Sequence, residues 1–330
     1  MSKISIIIPC LNEEKYIGNC IRSVLESDYP HDDMEIIIVD GGSTDNTINI
    51  INDYQQKHSF IKLMHNSKKI VPISMNIGTE NASGEYIIRL DAHASYPKDY
   101  FSKLIHYHQV LDGDNIGGVW NTEVLNQNKL SMAIKNVLSD KFGVGGAKFR
   151  TGVYKVEEVD TVPFGCFKKK IFQKVGLYDE RLVRNQDIEL NKRIKKAGGK
   201  IYLVPDIECT YYARETFKDL AKNNFANGKW NILTAYYTKR LSSLSIRHFI
   251  PLFFVLSLIL PLLCCYHISV MIFVLYLSVI TARSFQIKKE TTLLYQVFAF
   301  LVLHVSYGFG SLSGVFDVIK LFLKEKDESI

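Results

Sequence analysis

The 330-residue chain lacks the cysteine pattern of a disulfide or zinc framework. Its six cysteines are Cys10, Cys20, Cys166, Cys209, Cys264 and Cys265, and no two form a CxxC pair. Reduced, mostly buried thiols are therefore expected. The chain also lacks a basic, aromatic-rich face. Its net charge is +6, but Lys and Arg are spread along it, which excludes nucleic acid as a partner. Met1-Ser2-Lys3-Ile4 leads straight into a strand-like run, without a charged segment, an apolar stretch and a small-residue cleavage site. No cleavable signal is expected, and the first 248 residues are predicted to stay in the cytoplasm. Nor is there a glycine-rich, basic phosphate loop near the N-terminus, which argues against a sugar nucleotidyltransferase.

Charge is the other absence. No Asp, Glu, Lys or Arg occurs in the 34 residues from Phe249 to Ala282, nor in the 26 from Thr291 to Phe316. As one helix the first run would measure about 51 Å, against a hydrocarbon core of about 30 Å. Two short spans, 249–265 and 268–283, fit better, followed by a third apolar segment at 293–316. The basic segment 236–248 carries Lys239, Arg240 and Arg247. Arg283, Lys288 and Lys289 follow the second span. Both sets obey the positive-inside rule for a hairpin with its soluble part in the cytoplasm, and the first suits contact with anionic head groups. This predicts a multi-pass protein of the cytoplasmic membrane, with a membrane region at 249–323 and a charged tail at 324–330. The third segment conflicts with that rule, because a full span would place Lys320, Lys324 and Lys326 outside. Gly308, Gly310 and Gly314 offer a break that would make it re-entrant or interfacial. The Gly310–Gly314 spacing is also compatible with helix pairing and a homo-oligomer.

Before residue 236 the chain alternates short apolar runs with amphipathic ones. Ile4–Ile8, Glu35–Val39, Ile61–Met64 and Tyr86–Leu90 read as buried strands. Glu14–Glu26, the stretch from Thr47 to Tyr54, and Ile73–Ala82 read as helices. Such alternation means a mostly parallel, Rossmann-like sheet covered on both faces. Further on, Pro97–Leu111 and Gln186–Ala197 read as helices, Gly117–Val124 and Val159–Phe167 as strands, and Gly143-Val-Gly-Gly146 as a mobile loop. In an open parallel sheet, ligands bind at the carboxyl ends of the strands. Three strands end in polar strings there: Pro9-Cys-Leu-Asn-Glu13, Asp40-Gly-Gly-Ser-Thr-Asp45 and Asp91-Ala-His93.

Those three strings, with Asn76-Ile-Gly78 and Gly84-Glu-Tyr86, resemble the family 2 glycosyltransferases with a GT-A fold. The resemblance covers roughly residues 3–235, the expected catalytic domain. The texture of Arg89-Leu-Asp-Ala-His-Ala94 and Asn185-Gln-Asp-Ile-Glu-Leu-Asn191 is similar to the succinoglycan-type exopolysaccharide transferases. The resemblance implies a nucleotide-sugar donor, a UDP-hexose or UDP-N-acetylhexosamine, and a divalent metal. It places Pro9, Leu11, Glu13, Asp40, Asn76, Asp91 and Ala92 around the donor, with Asp40 on the uracil and Asp91 near ribose and metal. His93 stands where the family has Asp. Imidazole suits Mn²⁺ better than Mg²⁺, so Asp91 and His93 imply Mn²⁺, with bonding to phosphate or ring stacking as other roles for His93.

The family's Glu-Asp pair appears as Gln186-Asp187, and Asp187 is implied as the base of an inverting transfer. Its position at a helix start favours the ionised form such a group needs. Pro163-Phe-Gly-Cys-Phe167 resembles the floor of the acceptor site, with Gly165 admitting the sugar. Asn224-Phe-Ala-Asn-Gly-Lys-Trp230 is similar to a segment in which Lys229 would reach the diphosphate and Trp230 stack on the acceptor. Three apolar segments are few for a polymer channel, so one or a few additions to a polyprenyl-diphosphate-linked saccharide are expected, in exopolysaccharide, capsule or cell-wall synthesis. Two alternatives stay open: a polyprenyl-phosphate sugar synthase, and a non-catalytic scaffold of a polysaccharide assembly complex.

Overall fold

The computed structural model of the protein describes residues 2–239, 246–287 and 290–327. Arg240, Lys288 and Lys289, and the side chain of Arg247, lie outside the described residues, so most of the expected basic cluster does too. The chain divides into two compact units: 1–121 with 148–212, and 122–147 with 213–330.

The first unit begins with β1 (Ile4–Cys10), α1 (Ile17–Leu25), β2 (Met34–Asp40), α2 (Thr47–Lys57), β3 (Ile61–His65), α3 (Val71–Asn81) and β4 (Tyr86–Arg89). β1 pairs in parallel with β2 and β4, and β2 with β3. Every residue of β2 is buried, as are six of the seven in β1. Side chains alternate between two cores. Ile6, Ile8, Ile36, Ile38 and Ile88 join one, and Ile7, Ile37, Val39 and Ile87 the other. A strand buried on both faces reads as a continuous apolar run, which is the pattern seen in the sequence.

Next come β5 (Ala94–Ser95), α4 (Tyr100–Leu111) and β6 (Asn115–Glu123), whose last two residues fall in the second unit. After α5 (Lys129–Leu138) and α6 (Lys141–Val144) of that unit, the first resumes with α7 (Lys148–Thr151), β7 (Glu157–Glu158), β8 (Cys166–Lys168), α8 (Lys170–Val175), α9 (Gln186–Lys196) and β9 (Ile201–Tyr212). The sheet order is β3-β2-β1-β4-β8-β6-β9-β5, with β7 on β9. β8 runs antiparallel to β4 and β6, so the sheet is parallel on one side and mixed on the other.

Two readings need correction. Val159–Phe167 is not one strand. Only Cys166 and Phe167 of it lie in β8, because Pro163 offers no N–H and Phe164 adopts a left-handed backbone at φ 45°. The Gly143–Gly146 stretch is partly helical: Gly143 and Val144 close α6, and a Cβ on Gly143 would collide with the Val137 carbonyl.

The second unit adds α10 (Phe217–Tyr237), α11 (Ile250–Ile259), α12 (Tyr266–Ile287) and α13 (Leu293–Asp327). α12 and α13 are long and apolar enough to cross a membrane. The hairpin between α11 and α12 turns at Cys264–Cys265, close to the expected break. α13 is unbroken, so its glycines serve packing instead. A Cβ on Gly310 or Gly314 would strike the backbone of α10, and one on Gly308 the carbonyl of Pro251 in α11. α10 is polar and runs parallel to α13. Lys229 pairs with Asp317 at 2.6 Å, Asn231 bonds Tyr307, and the Tyr236 hydroxyl donates to Glu325 at 2.6 Å.

Candidate active site

The sharp ends of β1 and β2 are laced together. Asn12 takes a left-handed backbone at φ 54°. Its N–H donates to Ser43 Oγ at 2.8 Å, and its Oδ1 accepts from Thr44 N at 2.8 Å. The N–H of Glu13 donates to Thr47 Oγ1 at 2.8 Å, and that of Asn46 to Glu14 at 3.0 Å. Asp45 accepts from Thr47 N and Oγ1 at the start of α2. Burial works against ionisation of Asp45, but those bonds from Thr47, with one from Glu14 N, outweigh it and lower the pKa.

Asp40 is buried, and its carboxylate is occupied by its own turn. Oδ2 accepts from Gly42 N at 2.7 Å and Ser43 N at 2.9 Å, and Oδ1 from Ser43 Oγ at 2.5 Å. Leu11 is exposed, Pro9 partly buried and Glu13 buried. Asn76 is also committed: its amide bonds both backbone atoms of Tyr178 and the Glu180 carboxylate. It fixes the 178–180 segment that leads toward α9. Gly78 and Gly84 are close-approach positions, where a Cβ would strike Ile7 and the backbone of Ile4 and Ser5.

β4 delivers Arg89 and, two residues on, Asp91. Arg89 donates to Asp91 Oδ1 from Nε at 3.3 Å and Nη2 at 3.1 Å. Burial alone would lower the Arg89 pKa, but the carboxylates of Asp91 and Asp187 raise it above its ordinary value. Asp187 enters through the first turn of α9, which follows Asn185 in a left-handed conformation at φ 61°. Arg89 thus hydrogen-bonds Asp91 and also feels the charge of Asp187, 96 positions further along the sequence than Asp91. In the sequence, the i+2 spacing of Arg89 to Asp91 is the signal that points to this pairing. Glu189 instead pairs with Arg193 at 2.7 Å, and Arg193 holds the carbonyls of Val175 and Leu177.

Ala92 points into the core. His93 lies edge-on between Tyr16 and Tyr211, with Nδ1 3.3 Å from Glu13 Oε1. Gly165 accommodates Asn115: a Cβ there would collide with that amide. Lys229 and Trp230 belong to α10 of the second unit, where Lys229 is ion-paired with Asp317.

Among the described residues no three His, Cys, Asp or Glu side chains form a metal-holding group. Asp91, with one oxygen on Arg89, and His93, with Nδ1 toward Glu13, would supply at most two protein donors. That thin set fits a Mg²⁺ or Mn²⁺ ion coordinated largely by substrate phosphate and water, and does not fit a fully protein-caged ion.

Residues 5–176 match the model of the glycosyl transferase family 2. The chain is 33% identical over 239 residues to the dolichyl N-acetyl-α-D-glucosaminyl phosphate 3-β-D-2,3-diacetamido-2,3-dideoxy-β-D-glucuronosyltransferase of Methanococcus voltae, covering 69% of this chain and 72% of that protein. It is 30% identical over 226 residues to the succinoglycan biosynthesis protein ExoA of Rhizobium meliloti, covering 68% and 67%. In structure it is similar to the mannosyltransferase PcManGT of Pyrobaculum calidifontis, solved with GDP-Man and Mn²⁺, at TM-score 0.59, 14% identity and coverage of 96% and 88%. It is also similar to residues 1–349 of S. aureus TarS, solved with UDP-GlcNAc, at TM-score 0.53, 15% identity and coverage of 94% and 91%. The fold is GT-A, and the protein is a glycosyltransferase that belongs to family 2.

Proposed function

We propose that the protein transfers a sugar from a UDP-linked donor to a lipid-linked saccharide, with inversion, at the cytoplasmic face of the membrane. The observation that carries this reading is the Asp91–Arg89–Asp187 group, which puts a metal-side carboxylate and a candidate base in one field. Asp187 takes the proton of the acceptor hydroxyl, and the Arg89 charge, bonded to Asp91, offsets part of the negative charge there. Pro9, Leu11, Glu13 and Asp40 border the nucleoside; Asp40 does so with its capacity largely taken by Gly42 and Ser43, so it shapes the turn as well as the pocket. Asp91 and His93 would hold the metal, Mn²⁺ in preference to Mg²⁺, and the ion would supply counter-charge for the diphosphate. Ala92, Asn76, Lys229, Gly165 and Trp230 complete the donor and acceptor assignments as roles to be tested.

The acceptor reading draws on the Methanococcus voltae relative, whose name describes transfer to a dolichyl-phosphate-linked sugar. The UDP reading draws on the TarS complex; the PcManGT complex supports a nucleotide sugar and a divalent ion in general. By role, we divide the chain into a catalytic domain at 1–235, a basic segment at 236–248, a membrane region at 249–323 and a tail at 324–330. Packing groups α5 and α10 with the C-terminal helices instead. The α11–α12 hairpin makes the membrane passes, since its apolar side chains, among them Leu263, Met271 and Leu275, are exposed. α13 lies along the membrane surface with polar α10 beside it, which keeps Lys320, Lys324 and Lys326 on the cytoplasmic side and removes the charge conflict.

The test is calorimetric binding of UDP to the full-length protein in detergent with Mn²⁺, Mg²⁺ or chelator. Metal-dependent binding that Asp91→Ala abolishes is expected. Absence of binding with either metal, in folded protein, would overturn the donor assignment.

A further inference from the structure

Trp120, near the end of β6, is nine-tenths buried (9% exposed), yet its indole Nε1 has no hydrogen-bond partner. Arg150, in α7, lies with its guanidinium carbon 4.3 Å from the Trp120 ring centre, and its Nη1 is likewise buried and unpartnered. Tyr211 stacks on Trp120 at 4.5 Å and 15° and meets His93 edge-on at 5.2 Å, so the pair borders the candidate active site. Phe149 and Phe164 close the surroundings.

Among the described residues Arg150 forms no ion pair with a carboxylate. Its one polar partner is Tyr211, and burial lowers its pKa. The arrangement is unusual on two counts. Buried donors are nearly always satisfied, and a buried cation is nearly always paired with an anion. Here two buried N–H donors and the charge of a half-buried arginine lie among aromatic rings, with the Tyr211 contact and no carboxylate to meet them. Flat aromatic walls also suit the apolar faces of a sugar ring.

We propose that Trp120 Nε1 and Arg150 Nη1 receive an oxyanion carried by a substrate, either the carboxylate of an acidic sugar or a phosphate of the lipid-linked acceptor. The proposed transfer is needed only to say which substrate brings it; the site stands on its own geometry. An arginine fork with an adjacent N–H binds a planar carboxylate through parallel bonds, and a phosphate oxygen through the same donors. Arg150 then sets substrate choice, since a neutral sugar would leave both donors unmet, and unmet polar groups discriminate strongly.

The experiment reads Trp120 fluorescence in full-length Trp230→Phe protein, which retains a single tryptophan. Glucuronate, inorganic phosphate and methyl glucoside are the probes, and the readout requires neither UDP nor transfer. A saturable response to glucuronate alone assigns a sugar carboxylate; a response to phosphate alone assigns the lipid-borne phosphate; methyl glucoside gives none. In Arg150→Gln that response weakens about tenfold or more, the loss of one charge-assisted bond, while Arg150→Lys retains part of it. No response to either anion, or one unchanged in Arg150→Gln, would overturn the proposal. Failure of UDP to bind would count against the donor reading and leave this result standing.

Discussion

The two sides of the candidate site differ in how far the protein satisfies itself. At the ends of β1 and β2, Asn12 and Glu14 bond across to the other loop, while Asp40 and Asp45 satisfy their own turns. On the side built by β6, α7 and α9, polar atoms are sealed without partners: Trp120 Nε1, Arg150 Nη1, Gln186 Oε1 and the Tyr178 hydroxyl. The first side is a scaffold held mainly by its own hydrogen bonds. The second holds groups whose partners the chain itself does not supply. Under the proposed function, the first half would take the nucleotide donor and the second would distinguish among substrates.

That comparison can be broken in several ways. The largest effect is expected at the metal-side acid. Asp91→Ala, or chelation of the wild type, should lower transfer by at least about 100-fold, because the leaving diphosphate loses its counter-charge; a variant within about threefold of wild type would contradict the role of Asp91. Next is Gly84→Ala, whose added methyl meets the backbone of Ile4 and Ser5. Overpacking against backbone predicts a loss of about 3 kcal/mol or more in chemical denaturation. Asn12→Ala should cost about 1–2 kcal/mol, since it removes the acceptor for Thr44 N and leaves alanine in a left-handed conformation.

A smaller effect concerns acid stability. Glu35 accepts from Ser5, Ser83 and Lys62. Burial pushes its pKa up, but the bonds from Lys62, Ser5 and Ser83 outweigh that and bring it from 4.5 to about 2. A depressed folded pKa means stability that is present above pH 4.5 and lost as pH falls toward 2. Glu35→Gln should therefore be less stable at neutral pH, and its denaturation midpoint should depend less on pH in that window. Finally, Cys264, exposed at the α11–α12 turn, should react with an impermeant maleimide from outside intact cells. Labelling only after permeabilisation would contradict passage of the hairpin across the membrane.

What was legible in the sequence follows the same division. β1, β2, β3 and β4 were readable because a strand buried on both faces is an unbroken apolar run, and their polar ends announce themselves. β9 was not: Pro205, Asp206 and Glu208 interrupt its 12 residues, although Ile201, Leu203, Val204, Ile207 and Cys209 are buried. Asp187 could be singled out from the family resemblance together with its place at a helix start, but its electrostatic link to Arg89 depends on the course of the chain between residues 92 and 186. Trp120 and Arg150 carry no motif, since each acquires its setting only when β6, α7 and β9 come together. The glycines of α13 were visible, yet whether they break a helix or admit a neighbour depends on α10, a partner some 80 residues earlier.

The central claim is that Asp187 acts on the acceptor while the donor half stands complete without it. Asp187→Asn should be compared with wild type in UDP affinity, by calorimetry, and in sugar transfer to a polyprenyl-diphosphate-linked saccharide, by radiolabel. A general base contributes about 10²–10⁴-fold, so transfer should fall by that factor while UDP affinity stays within about twofold. Transfer retained near the wild-type rate would contradict the assignment of the base and favour a lipid phosphate, which has no proton to lose, as the acceptor.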